Sequence, residues 1–391
     1  MPSLDDDHAG ARIRRARRRA HLTQRGLADR IPYSYSLLNQ VECGARQASE
    51  GFLNEVARAL DIDVTVLTRQ QTMDDDRLNA LVRPIRAALD LYDLEPSGTV
   101  TRTSRKLGMA ADEVCRQVRA THLRKAATVL PGIITDLTRL AGRTPTTETW
   151  QALASSYRTA ADITLKLGFP DLSSVALDRM GWAAGRASDP CLAAIRQYKR
   201  ALVYKAGGSE AALGQRLIAS GHMLLDGQTS REALVVRGQL HLGMSAVAAR
   251  AEDADAVTTH ITAARDLAGR VGGEAGEVHW LSFGYRNIAL HEMGASLAMR
   301  QYDQALKQAR KMKLPPTTLT SRCARFLVDR AVVEMETGHT EAALKHLVEA
   351  RRAAPEQTRY HPGTRAAVRG LVHMARRTPD TLNHMAAWVG V

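Results

Sequence analysis

Aromatic side chains are scarce: four Phe, nine Tyr and four Trp in 391 residues. So thin a supply argues against an aromatic-lined β-sandwich and fits Ala- and Leu-rich helix stacking. Long apolar runs are missing as well, so no bilayer span is encoded. The chain opens on Asp5-Asp6-Asp7 and lacks the basic and apolar segments of a secretory leader, so a cytoplasmic location is expected. Cysteine is limited to Cys43, Cys115, Cys191 and Cys323. Spaced this widely they form neither CxxC pairs nor a disulfide framework, and free thiols are expected.

Positive charge, by contrast, is abundant. Lys and Arg number 54 against 41 Asp and Glu, a formal charge of +13, and only nine of the cations are Lys. Such a balance suits a polyanionic partner. It is also unevenly spread. Residues 8–46 hold Arg12, Arg14, Arg15, Arg17, Arg18, Arg19, Arg25, Arg30 and Arg46 against only Asp29 and Glu42. Ile13, Ala16 and Ala20 interleave with them at helical offsets, which puts the arginines around the exposed side of a short helix.

The following segments extend the pattern. Thr23 precedes a helix over Gln24–Ile31 as its N-cap, and Pro32 ends it. Ser34 caps a second helix over Tyr35–Glu42, with Leu38 and Val41 inward and Gly44 closing at a position suited to positive φ. A fourth helix over 50–60 offers Leu53, Val56, Ala57 and Leu60, and a last turn over 61–67 adds Ile62 and Val66 to the core.

These residues resemble the helix-turn-helix domain of the Xre/phage-repressor family. The likeness rests on Thr23-Gln24, Leu27-Ala28, Ser34-x-Ser36-x-Leu38 and Val41-Glu42-x-Gly44. Two positions depart from it: Pro32 stands where the inter-helix turn usually has Gly, and Ala48 replaces a common Pro. In that docking mode the third helix enters the major groove. Tyr35, Ser36, Asn39 and Gln40 then face base edges, with Asn and Gln suited to bidentate adenine contacts. The resemblance implies a phosphate contact for Gln24, and Arg14, Arg18, Arg25 and Arg46 are expected to supply more.

Beyond this domain the reading is all-α throughout. The expected plan is a disordered tail over 1–10, a five-helix domain over 11–68, a linker with a connecting helix over 69–103, and a helical array over 104–391. The connecting helix, at 77–92, carries Pro84 and either pairs across a homodimer or packs on the array. Small residues recur in the array at Gly207, Ala212 and Ala219, and again at Gly338, Ala343 and Ala350, with Pro355 beyond. Val257 and Ala264 share the register, with Glu252 in the Gly position. The pattern resembles diverged tetratricopeptide (TPR) repeats over 145–378, an α-solenoid whose groove holds peptides or proteins.

The stretches FGYRNIALH, SRCARFLVDRA and EQTRYHPGTRAAV make the chain similar to the TPR-containing regulators of actinobacteria. More distantly it resembles the peptide-sensing quorum regulators of Gram-positive bacteria. The likeness implies a homodimer whose DNA affinity is set by a peptide or small molecule in the array. Trp280, Tyr285, Arg286, Asn287, Arg322, Arg325 and Asp329 are the expected ligand residues. The structural alternative has Trp280 and Phe283 in the core and the Arg and Asp side chains pairing between helices.

Catalytic signatures are absent. His291-Glu292 begins like a zinc-protease helix, but Ala295 stands where the second His is required. No phosphate loop or nucleophile elbow occurs, and His241, His260 and His279 fall in separate segments. No enzyme activity, metal or cofactor is expected. The expected function is a sequence-specific DNA-binding regulator. A DNA-tethered interaction scaffold and an effector-independent repressor remain alternatives.

Overall fold

A computed structural model describes residues 8–20, 22–62, 64, 67, 72–94, 97–204, 209–375 and 379–391. Four short helices come first: α1 (Ala9–Arg19), α2 (Gln24–Ala28), α3 (Tyr35–Glu42) and α4 (Glu50–Ala59). Their starts follow from side-chain caps. Thr23, Ser34 and Ser49 each accept a hydrogen bond from the backbone N–H three residues on, at Gly26, Leu37 and Phe52. Gly44 closes α3 with φ at +80°. The core comprises Ile13, Leu27, Leu38, Val41, Phe52, Val56 and Leu67, all nearly inaccessible to water.

Three details differ from the sequence reading. Helix α1 begins at Ala9, so Ala9 and Gly10 belong to the helix rather than to a tail. Gly10 is required there, since a Cβ would fall 1.6 Å from the Val41 carbonyl oxygen. Helix α2 stops at Ala28, well before Pro32, because Asp29 and Arg30 already turn the chain. Among the described residues of 61–67, Leu67 is the fully buried anchor; Val66 lies outside them.

Helix α5 (Thr72–Asp90) follows, carrying Pro84 and starting ahead of the connecting helix expected at 77–92. By contacts the chain divides into two units inside α5, between Ala80 and Leu81. In the second unit Arg179 Nε donates to the Leu89 carbonyl at 3.3 Å, and its guanidinium lies 3.5 Å from the Tyr92 ring centre. Tyr92 in turn meets Trp182 edge-on.

The second unit continues with α6 (Ser104–Arg119), α7 (Leu123–Arg143), α8 (Thr147–Lys166), α9 (Pro170–Arg186) and α10 (Pro190–Ala201). Then come α11 (Ser209–Met223), α12 (Arg231–Arg250), α13 (Ala254–Arg270), α14 (Tyr285–Ala298) and α15 (Tyr302–Lys311). The last are α16 (Thr320–Glu336), α17 (Thr340–Ala353), α18 (Pro355–Tyr360), α19 (Pro362–Met374) and α20 (Asp380–Val389). Among the described residues, β pairing is limited to one isolated bridge, Ala275 to Phe283. None of their helices is long and apolar enough to cross a membrane.

Consecutive helices pack against each other, most closely α8 on α9, α12 on α13 and α16 on α17. A second set of contacts skips every other helix. Helix α6 touches α8, and α8 touches α10; α10 touches α12, α12 touches α14, and α14 touches α16. Helix α16 then returns to α6. This row therefore closes on itself, which local repeat spacing alone does not predict.

The small-residue register holds in part. Ala343 and Ala350 on α17, and Val257 and Ala264 on α13, are buried. Glu252 adopts φ +60° where Gly338 adopts +82°, so the two turns match despite the different residue. On α11 the register fails: Ala212 and Ala219 face solvent, and the packing falls on Ala211, Leu217 and Ile218. Gly207 lies outside the described residues.

Candidate nucleic-acid interface

Helix α3 has two faces. Leu38, Val41 and Glu42 point inward, while Tyr35, Ser36, Asn39 and Gln40 are all exposed. The four residues expected to read bases therefore share the solvent side of one helix. Tyr35 is 47% accessible and donates its hydroxyl to Gln24 Oε1 at 3.3 Å.

Glu42 organises the domain from beneath this face. It is 1% accessible, yet it accepts from Arg17 Nε at 2.7 Å and Arg17 Nη2 at 2.9 Å. Gln24 Nε2 donates to it as well, at 2.8 Å. Arg17 spends its remaining arm on the Leu22 carbonyl, at 2.8 Å. Hydrogen bonding to Glu42 raises the Arg17 pKa above its ordinary value despite burial. One buried carboxylate thus ties α1, the following turn and α2 to the base of α3.

This arrangement corrects the picture of an all-exposed arginine face. Arg12 and Arg17 are buried, Arg12 donating to the Leu67 carbonyl at 2.9 Å. Arg18, Arg25 and Arg46 are exposed and Arg14 half-buried, so these expected phosphate contacts remain on the surface. Gln24 is different. Both ends of its amide are engaged within the domain, and Nε2 also lies 3.4 Å from Asn39 Oδ1. Sequence reading missed the Arg17–Glu42 pair; its one signal was one of only two acids among many arginines, 25 residues away.

The expected ligand residues of the second unit separate into three places. Trp280 is half-buried, and its indole N–H donates to Asp112 of α6 at 2.6 Å. It is therefore not a core residue, whereas Phe283 is, filling the space beside Gly238. Tyr285 and Arg286 are exposed at the start of α14, where Glu274 accepts from the Arg286 backbone N–H at 3.1 Å. Asn287 turns inward: it is 2% accessible, with Nδ2 3.4 Å from Gln239 Oε1. Arg322, Arg325 and Asp329 lie on α16, and Arg325 pairs with Asp329 within that helix at 2.7 Å rather than between helices. The segment before α14 is strained, with φ positive at His279, Trp280 and Ser282.

Of the three histidines expected in separate segments, His241 and His260 come together with His222, while His279 pairs elsewhere with Glu232. His222, His241 and His260 sit on α11, α12 and α13; the His241 and His260 Nδ1 atoms are 3.0 Å apart, and the His222 and His241 ring centres 4.6 Å. Burial, reinforced by neighbouring positive charge, pushes His222 and His241 down to about 4. Asp189, Cys191 and Glu232 form the group of metal-capable ligand atoms found among the described residues. Burial and Glu232 push the Cys191 thiol up to about 12. Asp189 meanwhile caps Leu192 N–H, and Glu232 binds His279 Nε2 at 2.5 Å. All four cysteines are free thiols.

His291 and Glu292 point to different surroundings. Burial, with Arg322 and Arg325 nearby, pushes His291 down to about 3. Glu292 instead pairs at the surface with Arg265, at 3.0 Å.

Compared with known proteins, residues 8–70 match a family model described as a helix-turn-helix domain. No curated protein and no solved structure matches the chain. The first unit is thus a helix-turn-helix domain, with α2 and α3 as its central pair.

Proposed function

We propose that the chain is a sequence-specific DNA-binding transcriptional regulator of the Xre type. The observation that carries this reading is the exposed face of α3. Tyr35, Ser36, Asn39 and Gln40 stand together on it, over a buried Arg17–Glu42 pair that fixes the helix. Asn and Gln offer the paired donor and acceptor that adenine presents in the major groove. Arg14, Arg18, Arg25 and Arg46 supply the sequence-independent grip on phosphates. Gln24 aligns Tyr35 and Asn39 from the adjoining helix, and it reaches phosphate only by exchanging those bonds.

The protein acts as a homodimer in the cytoplasm, without catalysis. Two copies of α3 read half-sites about 34 Å apart, one turn of B-DNA. The second unit is the sensor. Its closed row of TPR-like helices holds the buried Asn287 and the half-buried Arg322, polar groups suited to a peptide or small-molecule effector. A ligand that favours one arrangement by about 1.4 kcal/mol shifts operator occupancy tenfold.

Selection of an operator from random duplexes, followed by titration with Asn39→Ala and Gln40→Ala, tests the reading. Specific affinity is expected to fall while non-specific affinity holds. Equal loss of both, or no selectable operator, overturns it.

A further inference from the structure

The closed row of helices gathers cations from parts of the chain far apart in sequence. Arg119 comes from α6, Arg158 and Lys166 from α8, Lys199 from α10 and Arg322 from α16. Asp162, on α8, is the carboxylate in their midst. Arg119 Nη2 and Lys199 Nζ each donate to it at 2.7 Å. Burial alone would raise the Asp162 pKa, but Lys199 and Arg119 overcome it and hold the carboxyl well below its usual range.

The other three cations lack a carboxylate partner among the described residues. Arg158, 1% accessible, donates to the His279 carbonyl at 2.8 Å. Lys166 donates to Gln357 Oε1, and Arg322 reaches the Leu281 carbonyl at 3.5 Å. Two buried N–H groups remain unused besides: neither Arg119 Nε nor Arg158 Nε has an acceptor. Arg158 is buried and Lys166 and Arg322 half-buried, and holding charge of one sign together away from bulk water is costly. Arg325, the next cation along α16, brings its own acid in Asp329.

We propose that these five side chains form a binding site for a compact phosphorylated anion carrying two or more negative charges. Guanidinium forks match phosphate oxygens in a bidentate manner, and the two lysines add point charges. Such an anion would occupy the donors left unused at Arg119 and Arg158. It would also relieve the mutual repulsion that, after burial, pushes Lys166 down to about 7 and Lys199 to about 8.

The site lies where the row closes. Helix α16 meets α6 there, Lys166 reaches Gln357 of α18, and the Arg124 backbone N–H donates to Glu356 at 3.0 Å. A bound anion would draw the two ends of the row together, while an empty site leaves like charges facing across the seam. This inference rests on the second unit being the sensor, and it names the ligand class.

Calorimetric titration of the full chain with pyrophosphate, and separately with a nucleoside diphosphate, tests it. Micromolar binding of either, with a rise in melting temperature, is expected; binding of only the second assigns the ligand to the nucleotides. Proton uptake should accompany binding near pH 8, as Lys166 and Lys199 become fully charged against Arg119, Arg158, Arg322 and Asp162. Lys166→Met should lower the affinity at least tenfold while leaving the ligand-free chain as stable as before or more so. Arg265→Met, on the outer surface, should change neither. No binding at millimolar anion, or binding that survives Lys166→Met, overturns the proposal. Operator binding measured on the same protein keeps the two readings separate: a chain that binds DNA but no anion sinks only this one.

Discussion

Arginine does different work in the two units. In the helix-turn-helix domain most arginines lie open to water, and the two buried ones are each bound within the domain. In the helical unit Arg119 and Arg158 are buried and Arg322 half-buried in a closed row of helices, and only Arg119 meets a carboxylate. An exposed arginine is cheap to keep and suits transient phosphate contacts. An enclosed one must be compensated locally or serve a ligand. The sign of the charge is the same; the surroundings decide its use.

The largest expected effect breaks the comparison at its one point of overlap, the buried Arg17–Glu42 pair. Glu42→Gln strands a buried guanidinium and should destabilise the first unit by about 3–5 kcal/mol. Calorimetry should show its transition lowered while that of the second unit stays in place. If both transitions shift together, the two units do not unfold independently.

Next in size is the recognition face. Asn39→Ala and Gln40→Ala should each cost about 1–3 kcal/mol of operator affinity, measured by fluorescence anisotropy at fixed salt. Arg18→Ala should instead weaken all duplexes alike and flatten the slope of log affinity against log salt by about 0.9. A loss confined to the operator would move Arg18 from grip to readout.

Acid separates the units in another way. His222 and His241 have pKa values of about 4 in the folded chain, below the ordinary histidine value. The unfolded chain therefore binds more protons between roughly pH 6.5 and 4. Their contribution is fully present above that window and is lost as pH falls through it. The melting temperature of the second unit should fall across this range, and His241→Gln should reduce the fall. An unchanged profile would show that the histidine cluster does not set acid stability.

Much of the first unit was legible because its signals are local. Thr23, Ser34 and Ser49 cap within three residues, Gly44 closes a helix, and the apolar spacing marks the core. The inward faces of α13 and α17 could be read the same way. What escaped was non-local. The Arg17–Glu42 pair, the histidine cluster spanning three helices and the Asp162 cation cluster depend on which helices become neighbours, and no spacing rule encodes that. Trp280 shows the same limit. Aromatic content suggested ligand contact or core, while the segment's strained backbone carries the indole to Asp112, 168 residues away.

The smallest expected effect is at Glu292, and its smallness is informative. Glu292 and Arg265 pair at 3.0 Å, with 41% and 49% of their side chains accessible. In water the Coulomb gain is nearly offset by the entropy of holding two long side chains, so Glu292→Gln should cost under about 0.5 kcal/mol. The distance hardly differs from the 2.7 Å of Arg17 to Glu42, so bond length cannot explain a sixfold or greater difference in cost. Enclosure must explain it. His291 precedes Glu292 in α14, yet its pKa of about 3 reflects burial beside Arg322 and Arg325. Should urea unfolding show Glu292→Gln to be as costly as Glu42→Gln, enclosure would not separate the two kinds of ion pair. The contrast between open and enclosed arginines would then lose its physical basis.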